Sequence, residues 1–181
     1  PDDLLRRLIE SATKAPSGAN RQPWRFLVVR DPETKRRIGQ YYLRSWEESY
    51  GGRAQRPPTI SSRIRDSADY LAHHMHEAPV LILACIEHGG ASGRLSQGAS
   101  IYPAVQNLLL AARGLGLGSA LTTLHKRYEA EIKEMLDIPE GVETAALLPI
   151  GYPDEGVTYG PTARRPVEEV TYHERWGTEG P

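Results

Sequence analysis

Three stretches of this sequence carry polar side chains in backbone that is locally restrained. Ser17 and Asn20 sit in the proline–glycine loop Ala15-Pro16-Ser17-Gly18-Ala19-Asn20, Thr122 and Thr123 follow a glycine-punctuated apolar segment, and Arg164-Arg165 stands directly before Pro166. Hydroxyls, a carboxamide and guanidinium groups are donors and acceptors before they are acids or nucleophiles, so the chemistry they suit is holding and orienting one bound ligand. Each stretch also has a plainer reading. Ser and Asn satisfy turn backbone without any ligand, paired threonines favour strands, and arginines beside Glu168 and Glu169 suit a solvated surface. Residue type alone favours the plainer reading at Ser17 and Asn20 and is weak at the other two places, so the order and context of the three carry the case.

Other chemistry fares worse. Gly114, Gly116 and Gly118 close a predicted helix, whereas a dinucleotide-binding glycine loop follows a strand and opens a helix so that phosphate meets the helix N-terminus. His73, His74 and His76 fall late in a helix without a His-Glu-x-x-His pattern, so a solvated helix end outweighs a metal site, and no metal is expected. Ser17 precedes a strand and lacks the first glycine of a Gly-x-Ser-x-Gly elbow, against a serine hydrolase. Cys85, the one cysteine, lies in an apolar run with no histidine near it in sequence and reads as inert core.

The elements that must position these residues follow from periodicity. Asp2 and Asp3 before Leu4, Leu5, Leu8, Ile9 and Ala12 predict a helix over about 3–13, and the run from Trp24 to Val29 predicts a strand after the loop. Asp31-Pro32 opens a second helix with Ile38, Tyr41, Tyr42 and Trp46 as its buried stripe. Glycines and prolines in 51–58 break it, and Ile60, Ile64, Ala68, Leu71 and Met75 mark a third helix. The apolar run 79–86 predicts a mid-sheet strand buried on both faces. Ile101, Val105, Leu108, Leu109, Ala112 and Leu115 mark a central helix ended by glycine. A strand or extended loop over 119–124, a helix over 129–136, a buried strand over 144–150 and an extended tail over about 161–181 complete the order αβααβαβαβ, a single α/β (α+β) layer sandwich over 1–181.

Composition sets the outer bounds. With 181 residues, 39% hydrophobic and 25% charged, one core is expected, and a net charge of −1 offers no basic surface for nucleic acid. No apolar run reaches the roughly 20 residues that span a bilayer, so a membrane partner is not expected, and the single cysteine fits a reducing cytoplasm.

The ordered blocks resemble the nitroreductase family of flavoproteins. They are residues 12–26 with Pro16-Ser17-x-x-Asn20, residues 77–83 with Ala78-Pro79-Val80, residues 105–118 with the three spaced glycines, Gly151-Tyr152-Pro153 and Arg164-Arg165-Pro166. The pattern runs from Leu4 to Trp176, and Leu121-Thr122-Thr123-Leu124-His125 is similar to the branch of iodotyrosine deiodinases. The resemblance implies a dimeric fold with a central, mostly antiparallel sheet flanked by helices, and FMN as cofactor. It implies that Pro16, Ser17, Gly18 and Asn20 reach the flavin of the partner subunit, that Leu121, Thr122 and Thr123 lie along its ring with a threonine hydroxyl at N5, and that Arg164 grips its phosphate. The family also carries an Arg-x-Ser-x-Arg block upstream of the first helix, and this sequence begins after it, so the natural chain is expected to extend further.

On this resemblance the expected activity is ping-pong electron transfer from NADH or NADPH to a small aromatic acceptor, a nitroaromatic or a quinone, by a homodimer with shared sites. No side chain need be an acid or nucleophile, because the flavin carries the chemistry. Reductive dehalogenation, flavin fragmentation and flavin binding without turnover stay open beside it. The variable stretch 46–65 is expected to cover the site, with Trp46, Tyr50, Arg53 and Arg56 reading an aromatic or anionic acceptor, or else to be a polar surface loop.

Overall fold

The computed structural model describes residues 1–51, 62–88, 95–157 and 163–178. Its elements are α1 (Asp2–Ala12), β1 (Trp24–Val29), α2 (Pro32–Tyr50), α3 (Ser62–His74), β2 (Val80–Glu87), α4 (Leu95–Gly114), β3 (Gly118–Ser119), α5 (Glu129–Met135) and β4 (Val142–Gly151). This is the order the periodicity predicts. Ile60, Arg53 and Arg56 lie outside the described residues.

The four strands form one antiparallel sheet in the order β1-β2-β4-β3. Alternation along β2 assigns each side of it to a different helix layer. Ile82, Ala84 and Ile86 pack with Leu8 and Ala12 of α1 and with Ile101, Val105 and Leu108 of α4. Leu81, Leu83 and Cys85 pack with Ile38 and Tyr42 of α2, Met75, and Ile132 of α5. The result is three layers with β2 buried at the centre, as its unbroken apolar run requires.

On β4 the alternation is interrupted. Ala146 pairs with Ala84 but Thr144 pairs with Cys85, so Ala145 is an extra, bulged residue. Ala145 and Ala146 therefore both join the α1/α4 layer, and Thr144 turns with Val142 toward the α2/α5 layer. The segment carries neither glycine nor proline at that point, which is why its sequence reads as an ordinary strand.

Helix ends follow local chemistry. Asp31 accepts from the Thr34 amide at 2.8 Å and from its hydroxyl at 2.7 Å, with Pro32 at the first helical position. At the other end of the core, Gly116 takes φ +76°, and the Gly116 and Leu117 amides return to Arg113 and Ala112, which terminates α4. The closing glycines are thus a helix stop. Two expectations need correction. Met75 leaves α3 for a 3-10 turn spanning Met75–Glu77, and Ile64, expected in the buried stripe, is 51% exposed. The reason for the latter is that α3 contacts the core mainly through its C-terminal end, at Ala72 and the following Met75.

Candidate active site

After Ser119 the chain leaves the sheet and is then fastened residue by residue. Thr122 and Leu147 exchange backbone hydrogen bonds at 3.1 and 2.9 Å. The Ser45 hydroxyl on α2 donates to the Leu124 carbonyl at 2.8 Å, and the Tyr42 phenol lies 2.8 Å from Thr122 Oγ1. Further along, the Glu48 carboxylate accepts from Arg127 Nε at 2.6 Å and from the Tyr128 hydroxyl at 2.7 Å. Thr122 is therefore presented by backbone fixed to both β4 and α2.

Beneath this segment lies a buried polar knot. His125 is fully buried, and its Nε2 lies 3.1 Å from Thr144 Oγ1. Thr144 donates its amide and its hydroxyl to Glu129 Oε1, each at 2.7 Å, so its hydroxyl oxygen accepts from His125 and the imidazole proton sits on Nε2. Burial pushes His125 down to about 4, and its Nδ1 has no protein partner among the described residues. Lys126 bonds Glu129, Glu143 and the Thr144 carbonyl, each at 2.8 Å. Burial alone would lower Lys126, but the two carboxylates hold it above its ordinary value. The bulge is what turns Thr144 toward this knot.

Thr122 and Thr123 line different cavities. Thr122 lines one of about 460 Å³ together with Tyr42, Trp46 and Tyr50 of α2, Ile64 and Asp69 of α3, and Leu121. Trp46 Nε1 donates to Asp69 Oδ1 at 2.9 Å, tying α2 to α3, and the Trp46 and Tyr50 ring centroids are 4.9 Å apart. Thr123 lines a second space of about 360 Å³ with Ile101, Tyr102, Lys126 and Ala145.

The loop before β1 is built differently. Ala19, Asn20 and Gln22 all take φ near +52°, a conformation that costs non-glycine residues about 1 kcal/mol or more each. It is held by the Gly18 amide donating to Ser100 Oγ on α4 at 3.3 Å and by the Gln22 amide donating to Ser17 Oγ at 3.0 Å. Pro16, Gly18 and Asn20 are exposed, and Ser17 is half-buried. Arg164 is exposed, bonding the Ala163 carbonyl at 3.1 Å. Neither the loop nor Arg164 lines the two cavities described here. Within one chain, then, Leu121 and Thr122 meet at a cavity, while the loop and Arg164 point into solvent.

The rejected groups are accounted for. His73 Nδ1 bonds the Asp69 carbonyl and His74 Nδ1 bonds Glu77, both at 2.9 Å. Cys85 is 3% exposed, and burial pushes its thiol up to about 12. Sequence reasoning missed Tyr42, taken only as core, along with Ser45, Asp69, Ser100 and the His125 knot. The first had a signal: Tyr42, Trp46 and Tyr50 recur every four residues and so share one helix face.

The nitroreductase family model matches residues 1–152. The chain belongs to the nitroreductase family. It is 32% identical over 174 residues to an iodotyrosine deiodinase of Thermotoga neapolitana, an alignment covering 93% of this chain and 83% of that protein. It is 30% identical to iodotyrosine deiodinase 1 of Rattus norvegicus, covering 94% of this chain but 61% of the rat protein. Among solved structures, an oxidized iodotyrosine deiodinase bound to FMN and 3-iodo-L-tyrosine superposes with a TM-score of 0.71 at 30% identity, covering 95% of this chain and 89% of that one. The α/β layer sandwich is thus a nitroreductase-like fold. No helix among the described residues is long and apolar enough to cross a membrane.

Proposed function

We propose that the protein is an FMN-dependent oxidoreductase that passes electrons from NADH or NADPH to a small aromatic acceptor such as a nitroaromatic or a quinone, in a homodimer with shared sites. The observation that carries this reading is the cavity of about 460 Å³ walled by Tyr42, Trp46 and Tyr50, into which a rigidly fastened Thr122 opens.

The donor set fits the cofactor. A flat, largely neutral ring with a phosphate tail needs hydroxyl and amide contacts at one end and a cation at the other. Thr122 and Thr123 supply hydroxyls, the half-buried Ser17 and exposed Asn20 lie on a loop set outward by its own backbone, and Arg164 presents its guanidinium to solvent. Both outward-facing pieces suit a site completed by a second copy of the chain. FMN bound there would be held by Arg164 at its phosphate and by Leu121, Thr122 and Thr123 beside its ring, with Pro16, Ser17, Gly18 and Asn20 of the partner chain's loop completing the site.

Bound FMN supplies hydride and single-electron transfer. Trp46 and Tyr50 offer aromatic surface on which a flat acceptor stacks, and Asp69 fixes the Trp46 indole by its hydrogen bond. Ile64 and Leu121 supply apolar wall. Tyr42 stays protonated: burial raises its phenol, and the bond to Thr122 only partly offsets this.

Reductive dehalogenation of a halophenol is the second reading, favoured by the identity to the Thermotoga protein and to the structure bound to 3-iodo-L-tyrosine. One purified sample separates the two. The first reading expects a yellow protein that oxidises NADH or NADPH with nitroaromatics and quinones. Iodide release from 3-iodotyrosine with dithionite as the reductant, without oxidation of NADH or NADPH by nitroaromatics or quinones, would favour the second. A colourless protein that cannot be reconstituted with FMN would sink both.

A further inference from the structure

The Tyr42 hydroxyl has Thr122 as its hydrogen-bond partner, at 2.8 Å, and the tyrosine is only 3% exposed. Thr122 Oγ1 also accepts the Leu124 amide at 3.4 Å, a long bond, and its backbone is locked by the exchange with Leu147. A threonine hydroxyl has one proton and two acceptor positions. If Tyr42 donates to it, the amide and the phenol fill both acceptor positions, and the Thr122 proton is directed into the cavity. If Thr122 instead donates to Tyr42, one acceptor position is vacated, and Thr122 presents an acceptor to the cavity. In the second arrangement the Tyr42 proton leaves Thr122 and turns toward the cavity that Tyr42 also lines, and the two arrangements interconvert by rotating two O–H bonds. Loss of the Tyr42 oxygen abolishes only the second, because the Thr122 proton then lacks its buried partner.

We infer that Tyr42 is a positioning residue that lets Thr122 reverse its hydrogen-bonding polarity, donating to a ring nitrogen that is an acceptor when oxidised and accepting from the same nitrogen when reduction has made it an N–H. This rests on the proposed flavin site and deepens it: the pair Tyr42–Thr122 matches both redox states of one atom, which a lone donor or a lone acceptor does not do.

Dissociation constants for oxidised and for reduced FMN, measured on the purified dimer, separate the possibilities. In Tyr42→Phe, affinity for oxidised FMN stays within about twofold of wild type while affinity for reduced FMN weakens about fivefold, the equivalent of one neutral hydrogen bond. Thr122→Ala weakens both forms, and adding Tyr42→Phe to it changes nothing further. Thr122→Ser, which keeps the hydroxyl, retains the wild-type ratio. A Tyr42→Phe protein whose two affinities fall together shows a packing role only and overturns the inference, as does one in which neither changes. Wild-type protein that binds no FMN overturns both this inference and the function on which it rests, whereas normal FMN binding with an unaltered Tyr42→Phe ratio overturns this inference alone.

Discussion

The segment 122–128 and the loop 16–22 both carry polar residues of the proposed site, yet they are held in opposite ways. The first is fastened by side chains from α2 and β4 and underlain by a buried imidazole, a carboxylate and an ammonium group. The second is tied to the body by Ser100 on α4 and Arg25 on β1, each through a long bond of 3.3 Å, and owes its shape to three left-handed non-glycine residues. Packing organises a site that stays within its own chain, whereas backbone conformation organises a segment that faces outward. Substitutions in the first should cost folding stability. In the second they should cost ligand affinity and little else.

The largest expected effect is on the packed side. His125 is held at about 4 by burial, whereas an unfolded histidine takes up its proton near 6.5. The folded state therefore binds fewer protons in between, so its contribution is complete above about pH 6.5 and is lost as pH falls toward 4, for a total of about 3 kcal/mol. Chemical denaturation from pH 7.5 to 4.5 should show that decline, and His125→Gln should flatten it. An equal slope in the variant would show that the imidazole is not its source.

Next comes Arg164. Arg164→Ala should leave the thermal midpoint of the FMN-free protein unchanged, since the guanidinium is exposed and, among the described residues, bonds the neighbouring Ala163 carbonyl, while FMN binding weakens about tenfold or more through loss of a charge-assisted contact. Titration calorimetry reads it directly. A fall in stability without loss of FMN would reverse the assignment.

A smaller effect is expected at the loop's anchor. Ser100→Ala removes the acceptor of the Gly18 amide; Ser100 is buried but Gly18 is exposed, so water can replace that acceptor, and stability should fall by under about 1 kcal/mol and FMN affinity by a few fold. The smallest belongs to Ala19→Gly. Relief of the left-handed strain is offset by the greater freedom of glycine in the unfolded chain, giving a net change within about 0.5 kcal/mol. If either substitution melts the protein, the loop is part of the core's support and the contrast fails.

How far the sequence showed this depends on whether the cause is local. β2 was legible because its apolar run spans the strand, and the end of α4 because Gly116 is the residue that a left-handed helix stop favours. Thr122 and Thr123 were legible as a pair of hydroxyls but not as residues facing two different cavities. The Tyr42–Thr122 bond joins positions 80 residues apart, and no pattern within either neighbourhood announces it. His125 stands beside Lys126 and Arg127 and reads as surface, yet it is fully buried because the 3-10 turn Leu124–Tyr128 points it at β4. Left-handed Ala19 and Gln22 were hidden for a similar reason: neither residue type favours that conformation, so only the surrounding fold imposes it.

The bulge at Ala145 gives β4 a property that concerns length, not residue type. The strand holds one more residue than its pairing with β2 consumes. A deletion of Ala145 can be absorbed by closing the bulge, leaving Thr144 opposite Cys85 with its contacts to His125 and Glu129 intact. An insertion finds no such slack, and it turns over every side chain on one side of it. Variation in this stretch should therefore run toward shortening, with the extra alanine serving as the strand's spare link.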